Sequence, residues 1–283
     1  MSDTVGDNAK NSVGIIGCGW LGRALAGQLI KKNIPVMATT TREEKAAELN
    51  QAGINTQVLQ LPGEPELLSG HAVFSCRQLV VCITPQLKKG RVDYPEKIAR
   101  LAAAAEANKV EKIILISTSS VYNGLEGEVC EDAELDISAE KVAILARAEQ
   151  SVLDFHGLSA VLRLTGLIGP NRHPGRFLAG KKDLANPDAV VNLIHQADAL
   201  GLIMCLLEQS GAQGIYNGVA GTRMTRQHFY QQAAAALALP EPVFNEADRG
   251  ITGKQINGDK TRQVLSYDYQ YDDLVLWMKN NEN

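Results

Sequence analysis

The chain has 283 residues and a mass of 30.5 kDa, enough for one large domain, or one domain and a smaller lobe, around a substantial core. Apolar residues make up 45% and charged residues 21%, and a formal charge of -4 with a pI near 5.8 gives no electrostatic reason to expect nucleic acid. No apolar run approaches membrane-spanning length, and the opening MSDTVGDNAKN lacks the apolar centre of a signal peptide.

Residues 1–11 read as a flexible leader. VGII at 13–16 reads as a buried strand, followed by a helix to about Lys32. PVMATTT at 35–41 is a second strand, and Arg42-Glu43-Glu44 opens a charged helix. TQVLQL, LVVCIT and KIILIST add further Val- and Ile-rich runs, separated by the helix-forming stretches EKIARLAAAAEANK and SAEKVAILARAEQSVLDF. Strands alternating with helices of this length predict an α/β fold, a Rossmann doubly wound parallel sheet with helices on both faces. After SAVLRL the pattern loosens into GLIGPNRHPGRFLAGKK, then resumes with strand-like VNLIH at 191–195 and GIYNGV at 214–219 around a helix, DALGLIMCLLEQ. Tyr267, Tyr269 and Tyr271 alternate as in a strand. The five cysteines, at 18, 76, 82, 130 and 205, form no CxxC pair, and three lie in or beside strand-like segments, where a buried thiol is the plain reading. A cytoplasmic protein without a metal is the expectation.

The most informative motif is Gly17-Cys18-Gly19-Trp20-Leu21-Gly22, a GxGxxG directly after the first strand. Gly17 allows a tight turn, Gly19 lets the backbone approach a pyrophosphate, and Gly22 permits close helix packing. The helix start then offers its N–H groups to phosphates. Residues 12–165 are therefore expected to be a dinucleotide-binding core, with 166–283 a small substrate-binding lobe whose segments return to it. At the end of the second strand, where an NAD-binding protein usually carries an acid, stand Thr39, Thr40, Thr41 and Arg42. Hydroxyls and a guanidinium suit a 2′-phosphate, so NADP is favoured and NAD stays open. Glu43 and Glu44 follow at the helix start, where acids are common for dipole reasons alone, and Arg42 has the plain alternative of a solvated surface charge. Thr84 and Thr118 complete the expected cofactor set.

In order along the chain, the glycine motif, ISTSSVYNG at 116–124, LRLTGLIGPNR at 162–172, VNLIHQADAL at 191–200 and GIYNGVAG at 214–221 resemble the short-chain dehydrogenase/reductase superfamily, in its extended and atypical NAD-dependent epimerase/dehydratase branches. The resemblance covers nearly the whole chain. It implies that Thr118 is the hydroxyl that works with a Tyr and a Lys four residues later. The Tyr exchanges a proton with the substrate while the Lys holds the ribose and lowers the phenol's pKa. That dyad is missing. The seven tyrosines fall at 94, 122, 216, 230, 267, 269 and 271, and the family's usual helix position for Tyr holds Lys141, that for Lys holds Leu145. Tyr122 or Lys141 could replace the proton donor, with Thr118 and Ser120 orienting a substrate oxygen. Lys141 reads equally as an exposed lysine, and Tyr122 as a residue that lines the site.

Asn171-Arg172-His173-Pro174-Gly175-Arg176, with Arg163, Lys88, Lys89 and Arg91, gathers positive charge that would suit an acidic or phosphorylated ligand. His195, at the end of VNLIH, reads as a structural hydrogen-bonding residue with Asp198 as partner, and Lys254 and Asn257 could point into the cleft. The expectation is an NAD(P)-dependent oxidoreductase or epimerase-like enzyme acting on a small polar or sugar-like substrate that could be anionic. The alternative is a non-catalytic dinucleotide-binding regulator or scaffold that has lost the dyad. The apolar stripe of ILARAEQSVL serves a homodimer contact or the covering of the sheet equally well.

Overall fold

The structure, a computed structural model, describes residues 11–62 and 68–280; all of the expected leader except Asn11 lies outside the described residues. In chain order the elements are β1 (Val13–Ile16), α1 (Trp20–Lys31), β2 (Val36–Thr40), α2 (Glu43–Gln51), β3 (Thr56–Val58), β4 (Gln78–Val81), α3 (Tyr94–Ala107), β5 (Lys112–Thr118), β6 (Gly127–Val129), α4 (Glu140–Leu153), β7 (Leu158–Leu164) and β8 (Gly166–Ile168). There follow α5 (Gly175–Leu178), β9 (Leu193–His195), α6 (Gln196–Glu208), β10 (Gly214–Gly218), α7 (Arg226–Ala235), β11 (Lys254–Ile256), α8 (Asp259–Leu265) and α9 (Leu274–Lys279).

Seven strands form one parallel sheet in the order β10-β7-β5-β4-β1-β2-β3. Parallel pairing fixes β1 between β2 and β4, with Ile16 opposite Thr39 on one side and Val81 on the other. The order turns at β1, so the loops after β1, β2 and β4 diverge at the C-terminal edge and leave a crevice there. Strands buried on both faces must be apolar throughout, as VGII in β1 and LVV in β4 are. α1 turns Leu21, Leu25, Ala26 and Leu29 inward at helical spacing. Each fully buried leucine of this kind is worth ~2 kcal/mol of removed apolar surface.

The chain divides into two interleaved compact units. One comprises the chain up to Ser117, with Ile137–Leu162 and Leu206–Ile215; the other comprises Thr118–Asp136, Arg163–Cys205 and Tyr216 onward. In the first unit α3 and α4 pack together, and buried Glu149 of α4 accepts a hydrogen bond from Ser117 Oγ at 2.5 Å. Lys112 is also buried, its ammonium donating to the carbonyls of Leu206 and Gln209 at the end of α6. In the second unit β6 pairs with β11 and β8 with β9, each in parallel, beside a core of Ile168, Phe229, Leu274 and Trp277.

Tyr267, Tyr269 and Tyr271 are not in a strand. The reason is Asp198, fully buried, whose carboxylate accepts from Tyr267 Oη (3.1 Å), Gln270 N (2.6 Å) and Tyr271 N (3.0 Å). Backbone donors spent on a carboxylate are not available to a ladder. No helix among the described residues is long and apolar enough to cross a membrane.

Candidate functional site

The glycine turn is built by the requirements of its three positions. Gly17 has φ +98°, and a Cβ there would lie 3.1 Å from the backbone of Cys82 and Ile83. A Cβ on Gly22 would meet the Gly17 carbonyl oxygen at 2.6 Å, so α1 can sit this close to β1 only without one. Gly19 differs: nothing lies within 4 Å of the place its Cβ would take, and the residue is exposed. The turn is tied to β2 by Cys18 N donating to Thr39 O (2.7 Å) and Gly17 N to Thr39 Oγ1 (3.2 Å). Gly19 caps α1 without a side-chain hydrogen bond, and no acid stands in the first turn. Backbone N–H groups left in this way favour an anion.

Around the turn runs a groove of about 560 Å³ at the C-terminal ends of β1, β2 and β4. Of the expected cofactor residues, Gly17, Gly19, Thr40, Arg42 and Thr84 line it. Trp20, Leu21 and Gly22 do not; Leu21 and Gly22 are buried under α1 and Trp20 is half-buried. Thr118 ends β5 in the second unit. The groove is also lined by Lys45, Arg91 and Lys97, and among the described residues no carboxylate lines it. Lys45 is paired with Glu48 (2.8 Å) and Lys97 with Asp93 (2.8 Å), whose carboxyl is held below its ordinary range by the Lys97 hydrogen bond. Arg42, exposed where α2 begins, is held by no ion pair among the described residues. Such a cradle fits a phosphate-rich ligand.

At the ISTSSVYNG segment, Thr118 Oγ1 accepts from Ser120 N and lies 3.2 Å from Ser120 Oγ, capping a tight helical turn over Ser119–Tyr122. The Thr118 side of this turn is half-buried and Ser120 is exposed. Tyr122 is fully buried. Its hydroxyl donates to Asn217 Oδ1 (2.8 Å) and accepts from Arg163 Nη1 (2.7 Å), and the guanidinium also lies 4.8 Å over the ring. Burial pushes the phenol's pKa up, against the opposing pull of Arg163. The hydroxyl is thus engaged at both ends, and burial makes it harder to ionise. Lys141 lies exposed in the first turn of α4, and Leu145 is buried.

Arg163, expected to contribute to a cationic cleft, is buried, donating also to the Glu131 carbonyl (3.2 Å). Glu131 in turn accepts from Asn217 N (2.9 Å) and Thr261 Oγ1 (3.2 Å). His195 does have a structural hydrogen bond: Ala197 N donates to its Nδ1 at 3.1 Å. Its ring packs against Tyr271 and Trp277, and His173 stacks on the same indole. Lys254 Nζ donates to Asn123 Oδ1 (2.6 Å), and Asn257 Nδ2 to Glu128 Oε1 (2.7 Å).

The first 52 residues of the core, 12–63, match the family described as NADP oxidoreductase coenzyme F420-dependent. Over 274 residues the chain is 35% identical to Protein YeeZ of Escherichia coli (strain K12), covering 93% of this chain and 97% of that protein. It belongs to the YeeZ family. Among solved structures, the human epimerase family protein crystallised with NADPH is 18% identical, covers 96% of this chain and 99% of its own, and superposes with a TM-score of 0.75. UDP-glucuronic acid 4-epimerase from Bacillus cereus, in complex with NAD, gives 16%, 95%, 96% and 0.74. At these identities the likeness is one of fold. This YeeZ-family chain has the Rossmann-type fold seen in those two epimerase structures.

In this YeeZ-family chain, sequence reading missed Lys45, Gln60 and Lys97 as groove residues. The signal for Lys45 was available: it stands in the first turn of α2, three residues after Arg42 at the helix N-cap. Nothing local signals the Tyr122–Arg163–Asn217–Glu131 network, whose hydrogen-bonded pairs are 32 to 95 residues apart along the chain.

Proposed function

We propose that the protein binds a nicotinamide dinucleotide, with NADP preferred over NAD, and acts as an oxidoreductase or epimerase-like enzyme on a small polar or sugar-like substrate. The observation that carries this is the groove itself: an open glycine turn flanked by Arg42 and Lys45, with no carboxylate lining it among the described residues. The acid that would hold unmodified ribose hydroxyls is missing from the end of β2, and a guanidinium beside three threonines suits a 2′-phosphate. Gly19 leaves room for backbone N–H groups to reach a pyrophosphate. Bound there, the nicotinamide would give or take a hydride. The chain's own residues hold the phosphates, and Thr118 and Ser120 orient an oxygen of the substrate.

A second reading, a dinucleotide-binding regulator without turnover, is favoured by one observation: the helix that should carry the Tyr and Lys has exposed Lys141 and buried Leu145 instead, and Tyr122 is locked in the interior. Titration of the purified protein with NADPH and NADH separates the cofactors. R42A is expected to weaken NADPH roughly tenfold or more and to leave NADH within about twofold, because only the former has the phosphate that Arg42 would meet. Equal loss for both would refute the NADP preference. Absorbance of the nicotinamide across pools of sugars and keto acids then separates enzyme from regulator.

A further inference from the structure

We propose that Lys254 is the anion-recognition residue of a substrate site built on the Thr118–Asn123 turn, and that it takes a carboxylate or phosphate carried by the substrate. β11 places Lys254 opposite Gly127 of β6, and nothing lies within 4 Å of where a Cβ on Gly127 would be, so no side chain opposite crowds the lysine. The ammonium is half-buried and donates to Asn123 Oδ1 at 2.6 Å. Asn123 closes the turn whose first residues carry the Thr118 and Ser120 hydroxyls. Asn123 thus ties Lys254, 131 residues further along the chain, to the turn that carries the two hydroxyls.

The charge balance around Lys254 points the same way. Arg262 is paired with Asp272 at 2.5 Å, and Arg249 with Asp188 at 2.7 Å and Glu246 at 2.8 Å. Lys254 has no ion pair among the described residues, and Glu128, the carboxylate on the neighbouring strand, accepts instead from Asn257. An ammonium has three donors, and a neutral amide occupies one. Taking a cation partly out of water costs free energy that an amide does not offset but an anion does. Burial accordingly pushes the Lys254 pKa down. A neutral sugar hydroxyl would fill the donors without balancing the charge, so the ligand is anionic.

This inference rests on the enzyme reading above and specifies its substrate class, and the test keeps the two apart. Inorganic phosphate and malonate are titrated calorimetrically into the full-length protein and its K254M and K254R variants, with and without saturating NADPH, and NADPH affinity is measured separately. At least one anion is expected to bind the wild type, to weaken roughly tenfold or more in K254M, and to stay within about threefold in K254R. K254M should bind NADPH as the wild type does. Circular dichroism checks that K254M is folded; if it is not, K254Q, which keeps a polar donor without the charge, replaces it. The inference is overturned if neither anion binds the wild type, if removing the charge leaves binding unchanged, or if NADPH displaces the anion, which would assign it to the cofactor groove. Failure of NADPH to bind would break the functional reading and leave the anion titration intact.

Discussion

In the first unit Arg42 and Arg91 stand exposed along an open groove, whereas in the second Arg163, Glu131 and Asp198 are buried and held by hydrogen bonds from the same unit. The same kinds of charge thus meet two physical demands. A buried charge is tolerated only when its lone pairs and protons are satisfied from within, so it specifies one packing. An exposed charge facing a groove owes the fold little and is free to meet a ligand. The comparison predicts that substitutions of the second unit's buried charges cost stability, while those of the groove's exposed charges cost binding.

The largest effect should come from Asp198. D198A leaves two backbone N–H groups and a phenol without their acceptor in the interior, a loss of roughly 3–5 kcal/mol. Denaturant unfolding with unchanged slope would measure it. A loss under about 1 kcal/mol would mean that water reaches these donors and that the contrast between the units is overstated. Next comes a pair within the glycine turn. G22A forces a Cβ to within 2.6 Å of the Gly17 carbonyl and should cost about 1–3 kcal/mol, as overpacking does. G19A has open space for its methyl and should cost less than about 1 kcal/mol while weakening NADPH more than G22A weakens it per unit of stability lost. Thermal melts and cofactor titrations on both variants would reverse the argument if their order were exchanged.

The smallest effect belongs to an exposed pair in the first unit. Glu106 accepts from His156 Nδ1 at 2.8 Å, which raises the imidazole's pKa from 6.5 and lowers the carboxyl's. A raised histidine pKa contributes stability below its unfolded value, and that contribution fades as pH rises through the folded one. E106Q should therefore move the His156 midpoint down in an NMR titration. Any difference in melting temperature from the wild type should be confined to pH below the raised pKa and vanish near pH 9. A difference that persisted at high pH would point to packing instead of charge.

Sequence periodicity carried the sheet well because its strands are buried on both faces and must be apolar in unbroken runs, as VGII, LVV and KIIL are. The glycine turn was legible for a related reason: steric demands at Gly17 and Gly22 leave few residues that fit. The three-residue strands β6, β8 and β11 carry too few positions for a period to register. The burial of Tyr122 was not legible because it depends on Arg163 and Asn217, residues 41 and 95 positions on, and the Tyr269 segment was misread because the hydrogen bonds that bend it come from Asp198. Lys254 was recognisable as a candidate, but its partner Asn123 was not, since no local pattern links residues that far apart.

The placement of β10 has a consequence for how the chain is made. It lies at the edge of the large sheet against β7, although roughly fifty residues of other structure separate the two in the chain. During synthesis β7 is complete while its neighbour is still to be translated, so its outer backbone donors and acceptors stay uncovered through the emergence of β8, β9 and α6. An open strand edge is the part of a nascent sheet most prone to pair with the wrong partner. A ribosome pausing between residues 165 and 214 would prolong that exposure.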